Sequence, residues 1–347
     1  MLDHIMATLG PVPLTRGDGW FTLADVIGAT GAREIEATGR ISLHLAGDTG
    51  VPETDHETKQ VLVAEAMARD YDPAAPARSQ AFFLHLGDVI YGSSPTAYLD
   101  QFYRPYMHYP GKIIAIPGNH DGESAVKLAA FREYFCATKP VIPKIAGSIF
   151  RQTMVQPGVY WCLDGPLVQI VGLYSNNAEN PGAIEGGAAG AVQKEWLVKT
   201  LKRVKAARVT GGRKALFFAT HHPPFSSGGH SGSPSMLADI DDACQQAGIF
   251  PDAFFSGHAH SIQRYSRTVA VGGKARKIPY LVSGCGGHGG QTVAAAPGPK
   301  TSDPFFAFSY KGWGFTRVEV SRQDFALKSF GVDGGNVRLV DTVTVKL

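Results

Sequence analysis

Cysteine is scarce in this 347-residue chain: Cys136, Cys162, Cys244 and Cys285 stand far apart, with no CxxC pair. That excludes a disulfide framework and a cysteine-based zinc module, so the four read as free thiols of a reducing compartment. Long hydrophobic runs are also missing. No stretch approaches the ~20 apolar residues that span a bilayer. The opening MLDHIMATLGPVPLTRGDGW has no basic start and no long apolar segment, so no secretory signal is read there. Charge of one sign is lacking: 33 Lys and Arg against 30 Asp and Glu leave a formal net charge of +3. That balance gives no footing for nucleic acid or an acidic membrane. No internal repeat is visible. These absences point to a soluble, cytoplasmic globular protein with neither a nucleic-acid nor a membrane partner. The 44% hydrophobic content is ample for a large core.

What the chain does have is a series of short apolar runs, each ending in polar or glycine-rich residues. They are ISLHLAGD (41–48), AFFLHLGD (81–88), KIIAIPGNHD (112–121), LVQIVGLYS (167–175), KALFFATHH (214–222), AFFSGHAH (253–260) and IPYLVSGCGG (278–287). Continuous rather than alternating apolar character predicts strands buried on both faces. Helical patterns lie between them, over 56–71, 96–107, 124–135, 192–208 and 235–248. Strand, loop and helix repeated in this way predict an α/β fold. The C-terminal stretches GFTRVEVSRQDFALKSF and VRLVDTVTV alternate as antiparallel strands do. The glycine- and proline-rich stretches 180–191 and 286–304 read as long loops, and residues 1–35 as an extension packed on a domain spanning 36–347.

Chemistry in α/β folds collects at the carboxyl ends of strands. Five of the predicted strand ends carry metal-type ligands: Asp48; Asp88; Asn119 with His120 and Asp121; His221 with His222; His258 with His260. Each alone is weak, since an aspartate after a strand is commonly a turn former and a loop histidine is commonly solvated. Together they place hard carboxylates, an amide oxygen and imidazoles at one end of the fold, a donor set suited to two divalent or trivalent ions.

The order GD, GDxxY, GNHD, HHPP, GHAH resembles that of the calcineurin-like metallophosphoesterases, and the motifs extend from Asp48 to about Gly287. The resemblance implies a β-sandwich of two mixed sheets flanked by helices, with a dinuclear metal site at the strand ends. One motif departs from the pattern. The usual first motif, D-x-H, here reads GDTG, with Gly50 in the histidine's place. Tyr91, three residues after Asp88, stands where the purple acid phosphatases of this family carry a tyrosinate ligand of ferric iron. Tyr91 also reads as a packed aromatic whose hydroxyl finds a nearby partner.

Carried over residue by residue, the resemblance implies a first metal, iron(III), on Asp48, Asp88, Tyr91 and His260. It implies a second, iron, zinc or manganese, on Asp88, Asn119, His221 and His258, with Asp88 bridging. His120 would contact the substrate phosphate and leaving group, Asp121 would fix the tautomer of His120, and His230 would be a further active-site histidine. His222 either supports the ligands from behind or faces the substrate, and His288 is a candidate for lining the pocket. The implied activity is hydrolysis of a small phosphate ester, foremost as a phosphomonoesterase. A phosphodiesterase acting on cyclic nucleotides or glycerophosphodiesters is the alternative, although that branch keeps D-x-H. A catalytically silent scaffold is the third reading. The sequence carries no signal for oligomeric state.

Overall fold

A computed structural model describes residues 11–52, 57–72, 80–123, 128–176, 178–186, 190–296 and 303–347. The start of the helix expected over 56–71, the first four residues of that over 124–135, and parts of both glycine-rich loops lie outside them. Strand β1 (Trp20–Thr22) runs into helix α1 (Leu23–Thr38), followed by β2 (Arg40–Ala46), α2 (Glu57–Arg69), β3 (Gln80–His85) and β4 (Lys112–Ala115). Next come α3 (Ala129–Phe135), β5 (Trp161–Asp164), β6 (Val168–Gly172), α4 (Val192–Gly211), β7 (Ala215–Thr220), α5 (Pro234–Ala247) and β8 (Ala253–Ser256). The chain closes with β9 (Ile262–Val271), β10 (Lys274–Ser283), β11 (Phe305–Tyr310), β12 (Trp313–Ser321), β13 (Asp324–Asp333) and β14 (Asn336–Lys346).

The strands form two mixed sheets flanked by helices, ordered β1-β5-β6-β7-β8-β10-β9-β11 and β14-β13-β12-β2-β3-β4. The apolar runs are unbroken because the strands are buried on both faces. In β7, Ala215, Phe217 and Ala219 face the core between the sheets, while Leu216 and Phe218 face a second core with α4 and α5. Phe217 meets Phe325 of β13 edge-on across the sandwich, ring centroids 5.1 Å apart. The four cysteines are unpaired and buried. No helix among the described residues is long and apolar enough to cross a membrane.

The N-terminal residues join the first sheet: Trp20–Thr22 pairs in parallel with Cys162–Asp164, and α1 runs through residue 35. The α1 start is closed by a capping box between Thr22 and Asp25. The helix expected over 96–107 forms instead a π-helical turn, Leu99–Tyr103, in which the Arg104 N–H reaches the Leu99 carbonyl at 2.9 Å. Pro105 is the reason. It has no N–H to give the Gln101 carbonyl, and its ring crowds the preceding turn.

Parallel pairing of β2 with β3, β3 with β4, and β7 with β8 sends these five strand ends to one edge of the sandwich. There the sheets are tied by a Gly47 N–H to Ser283 carbonyl bond of 2.8 Å. The sequence motifs of two sheets therefore meet across one seam.

Candidate metal centre

Four non-glycine residues among those described have a left-handed backbone: Asp48 (φ 56°), Asp88 (φ 52°), Asn176 (φ 84°) and His258 (φ 68°). Each follows a strand, and three of them head motifs singled out by sequence. Such a conformation costs about 1–3 kcal/mol per residue and persists where the surroundings impose it, above all at functional sites. Here it folds the side chain back over the strand end. Tight glycines complete the turns. A Cβ at Gly118 would fall 2.1 Å from Asp88 Oδ1, so the GNHD loop can lie on Asp88 only with glycine there.

The seven ligand candidates converge. His221 Nε2 lies 3.2 Å from Asp88 Oδ2, 3.0 Å from Asn119 Oδ1 and 3.2 Å from His258 Nδ1. On the other side, Asp48 Oδ1 lies 3.5 Å from His260 Nε2 and 3.4 Å from Tyr91 Oη, and Tyr91 Oη is 3.4 Å from His260 Nε2. His221 Nε2 and Asp48 Oδ1 are 3.9 Å apart, joining the two halves. Metal bonds of about 2.1 Å set neighbouring ligand atoms roughly 3.0–3.4 Å apart, so the donor spacing fits bound cations. The tautomers fit as well. His221 Nδ1 donates to the Leu86 carbonyl and His260 Nδ1 to the Gly289 carbonyl, both at 2.8 Å, which leaves each Nε2 lone pair facing inward. Asp88, His221 and His258 are all buried, with ligand atoms within 4.8 Å of one another.

The electrostatics of the pocket favour positive charge. Burial alone would lower His221, but Asp88 and Asp48 outweigh it and raise its pKa. Burial would likewise raise Asp88, but His221 and the His120 side hold its carboxyl well below the usual range. Tyr91 is pushed well above an ordinary phenol by burial and then by Asp88 and Asp48, so without a cation it stays neutral.

The remaining candidates separate. His120 sits at the rim: its N–H donates to Asp88 Oδ1 at 3.0 Å, and its ring lies 4.3 Å from that of Tyr91. His288 stacks on Tyr91, at 3.7 Å and 9°. His230 lies against His258, ring centroids 4.1 Å apart, with Nδ1 3.4 Å from Glu179. Asp121 does not touch the His120 ring, which corrects the tautomer role expected for it. Its Oδ2 instead accepts the Val89 and Gly118 N–H groups, holding two loops together, because the short 3-10 turn His120–Gly122 directs it inward. The tautomer of His120 is set by Glu123, whose Oε2 is 2.8 Å from Nδ1. His222 is fully buried behind the site. Both ring nitrogens are taken, by Ser175 Oγ and the Ala178 carbonyl at 2.8 Å each, so none is left for a substrate.

Sequence reasoning missed Glu123, Glu179, Asn176 and His85. Glu123 was within reach, since GNHDGE puts it one turn after His120. Glu179 accepts from Asn119 Nδ2 at 3.3 Å and so turns the amide oxygen toward His221. Asn176 fixes the turn leading to it by accepting the Ala178 N–H. His85, lost within an apolar run, has Nε2 2.8 Å from Thr49 Oγ1 and fastens the loop after Asp48. Only an asparagine pair after LVQIVGLYS hinted at a sixth functional strand end.

The sequence profile of the calcineurin-like phosphoesterases matches residues 41–261. Solved structures of similar fold include GAP50, the anchor in the inner membrane complex of Plasmodium, at 12% identity and a TM-score of 0.58 over 89% of both chains. PhoD aligns at 12% identity and a TM-score of 0.54, over 89% of this chain and 70% of that one. A dimetal phosphatase from Danio rerio aligns at 11% identity and a TM-score of 0.50, over 88% of this chain and 98% of the other. At such identities the likeness is one of fold. No curated protein matches the chain in sequence.

Proposed function

The chain belongs to the calcineurin-like phosphoesterase family, a family of hydrolases with a dinuclear metal centre, and on that premise we propose that it is a phosphomonoesterase whose first metal is iron(III) held through Tyr91. The observation that carries this reading is the place of the tyrosine: Tyr91 Oη lies 3.4 Å from both Asp48 Oδ1 and His260 Nε2, on the side where Gly50 offers no side chain. A phenolate is a hard ligand that suits ferric iron. Asp48, Asp88, Tyr91 and His260 would hold the first ion, and Asp88, Asn119, His221 and His258 the second, which iron, zinc or manganese could fill.

Two cations bound there lower the pKa of water and offset charge on the phosphoryl oxygens. The protein's own part is to orient the ester and supply a proton. His120 is the group for the proton. Burial alone would depress it, but Glu123 at Nδ1 and then Asp88 raise its pKa, and the Glu123 carboxylate favours a proton on the ring. A proton passed to the ester oxygen as the P–O bond breaks lets the alcohol leave neutral. His230, against His258, and His288, against Tyr91, would line the space for the phosphate and alcohol.

The test is metal analysis and a visible spectrum of protein loaded aerobically with iron and zinc, then a panel of monoesters and diesters. Two metals per chain, a broad visible band lost in Tyr91→Phe, and faster turnover of monoesters are the expected results. A colourless iron-loaded wild type, or a band unchanged in Tyr91→Phe, would remove the tyrosinate. Preference for diesters would replace the monoesterase, and absence of all turnover with both metals bound would leave the scaffold reading.

A further inference from the structure

Gln101 lies ten residues beyond Tyr91, buried, in no motif. Its side-chain amide meets the Tyr91 backbone twice: Gln101 Nε2 donates to the Tyr91 carbonyl and Gln101 Oε1 accepts the Tyr91 N–H, each at 2.9 Å. The amide thus supplies both bonds that a neighbouring strand would give. The reach comes from the π-helical turn Leu99–Tyr103. The Gln101 carbonyl, which Pro105 cannot serve, accepts from Gln60 Nε2 at 2.5 Å, and Gln60 Nε2 also stands 3.5 Å from Thr49 Oγ1. Helix α2, the π turn and the loop after Asp48 are joined through this one residue.

The same amide fills the space at position 50. A Cβ on Gly50 would stand 2.7 Å from Gln101 Oε1 and 2.8 Å from both the Val89 carbonyl oxygen and Ile90 Cα. No side chain at position 50 can coexist with the clamp. The Tyr91 ring meanwhile contacts the rings of both His120 and His288, and His288 Nδ1 is anchored on the Gly50 carbonyl at 3.0 Å. Ring and backbone are therefore held by separate groups, the ring by the two histidines and the backbone by Gln101.

We propose that Gln101 is a positioning residue for Tyr91: its amide clamp, made possible by Gly50 and the Pro105-broken helix, aims the phenol oxygen at Asp48 and His260 and so sets how strongly that oxygen binds a metal. The inference rests on the tyrosinate reading above. It links two features of the sequence that look independent, a missing histidine and an added tyrosine, through a third residue that neither motif contains.

Gln101→Met keeps the volume and removes both bonds; Gln101→Glu keeps the acceptor and loses the donor. Each is loaded with iron and zinc, and its circular dichroism, visible spectrum and iron(III) affinity are measured. For Gln101→Met the fold is expected to persist, the visible band to shift and weaken, and iron(III) to bind about tenfold more weakly, the scale of one or two net hydrogen bonds. Gln101→Glu should fall between this and the wild type. A folded Gln101→Met with wild-type band and iron affinity overturns the positioning role and leaves the tyrosinate intact. A wild type without a band removes both. If neither variant folds, Gln101 is a structural residue and the proposal is overturned.

Discussion

Strand β8 is four residues long, yet it separates two very different ways of burying aspartate. At its start, Asp252 is 2% exposed and saturated by permanent cations. Oδ1 accepts from Arg213 at 2.6 Å and Arg276 at 3.0 Å, and Oδ2 from Arg208 at 3.2 Å and the Leu216 N–H at 2.8 Å. Beyond its far end, His258 joins Asp48, Asp88 and Asp121, equally buried. Among the described residues no lysine or arginine pairs with these three; their partners are imidazoles, a phenol and backbone N–H groups. Among the described residues Asp121 Oδ1 has no hydrogen-bond partner. A buried carboxylate ringed by guanidinium is complete as it stands. The group at the other end is met by imidazoles, a phenol and backbone N–H groups instead, a donor set of the kind that suits a bound cation.

The comparison can be broken by exchanging the expected consequences. Asp88→Asn removes the charge shared by both halves of the centre. Turnover should fall below roughly 10⁻⁴ of wild type, a loss of about 5 kcal/mol or more in transition-state stabilisation, with bound metal falling alongside. Near-normal turnover with both metals retained would show that Asp88 does not bridge.

His120→Ala tests the rim of the site, where Glu123 holds the His120 ring. Metal content should be unchanged and turnover of alkyl phosphates lower by roughly 10²–10⁴-fold, the range of acid–base catalysis. Aryl phosphates, whose leaving groups need no proton, should lose less. An equal loss for both ester classes would assign His120 to phosphate binding.

Asp252→Asn belongs to the other end. It leaves three arginines without their carboxylate and should lower stability by about 3–5 kcal/mol, as the breaking of a buried ion pair does, read as an earlier urea midpoint. Turnover per folded, metal-saturated molecule should be that of the wild type. Loss of metal from a folded Asp252→Asn protein would join the two ends and remove the distinction drawn between them.

The amino-acid sequence by itself determined that buried strands end in ligand-type residues, because a strand covered on both faces must be written as an apolar run and its polar ending then stands out. ISLHLAGD, AFFLHLGD and AFFSGHAH are legible for that reason, and so was the tyrosine after Asp88. The short edge strand Trp20–Thr22 carried no such signal, since three residues have no period to read. The sequence also misread 96–107, where helical spacing was real but one proline redirected the turn. Only the tertiary structure decided that strand ends of two different sheets share one seam, that Asp48, Asp88 and His258 bend back into left-handed conformations, that His222 is tied off behind the ligands, and that Asp121 holds two loops instead of the His120 ring. It alone brought in Glu179 and Gln101 as partners of Asn119 and Tyr91. The physical reason is that a strand's burial is written locally, in its own residues. The direction of a side chain at its end depends on what other segments, tens to hundreds of residues away, leave room for it to meet.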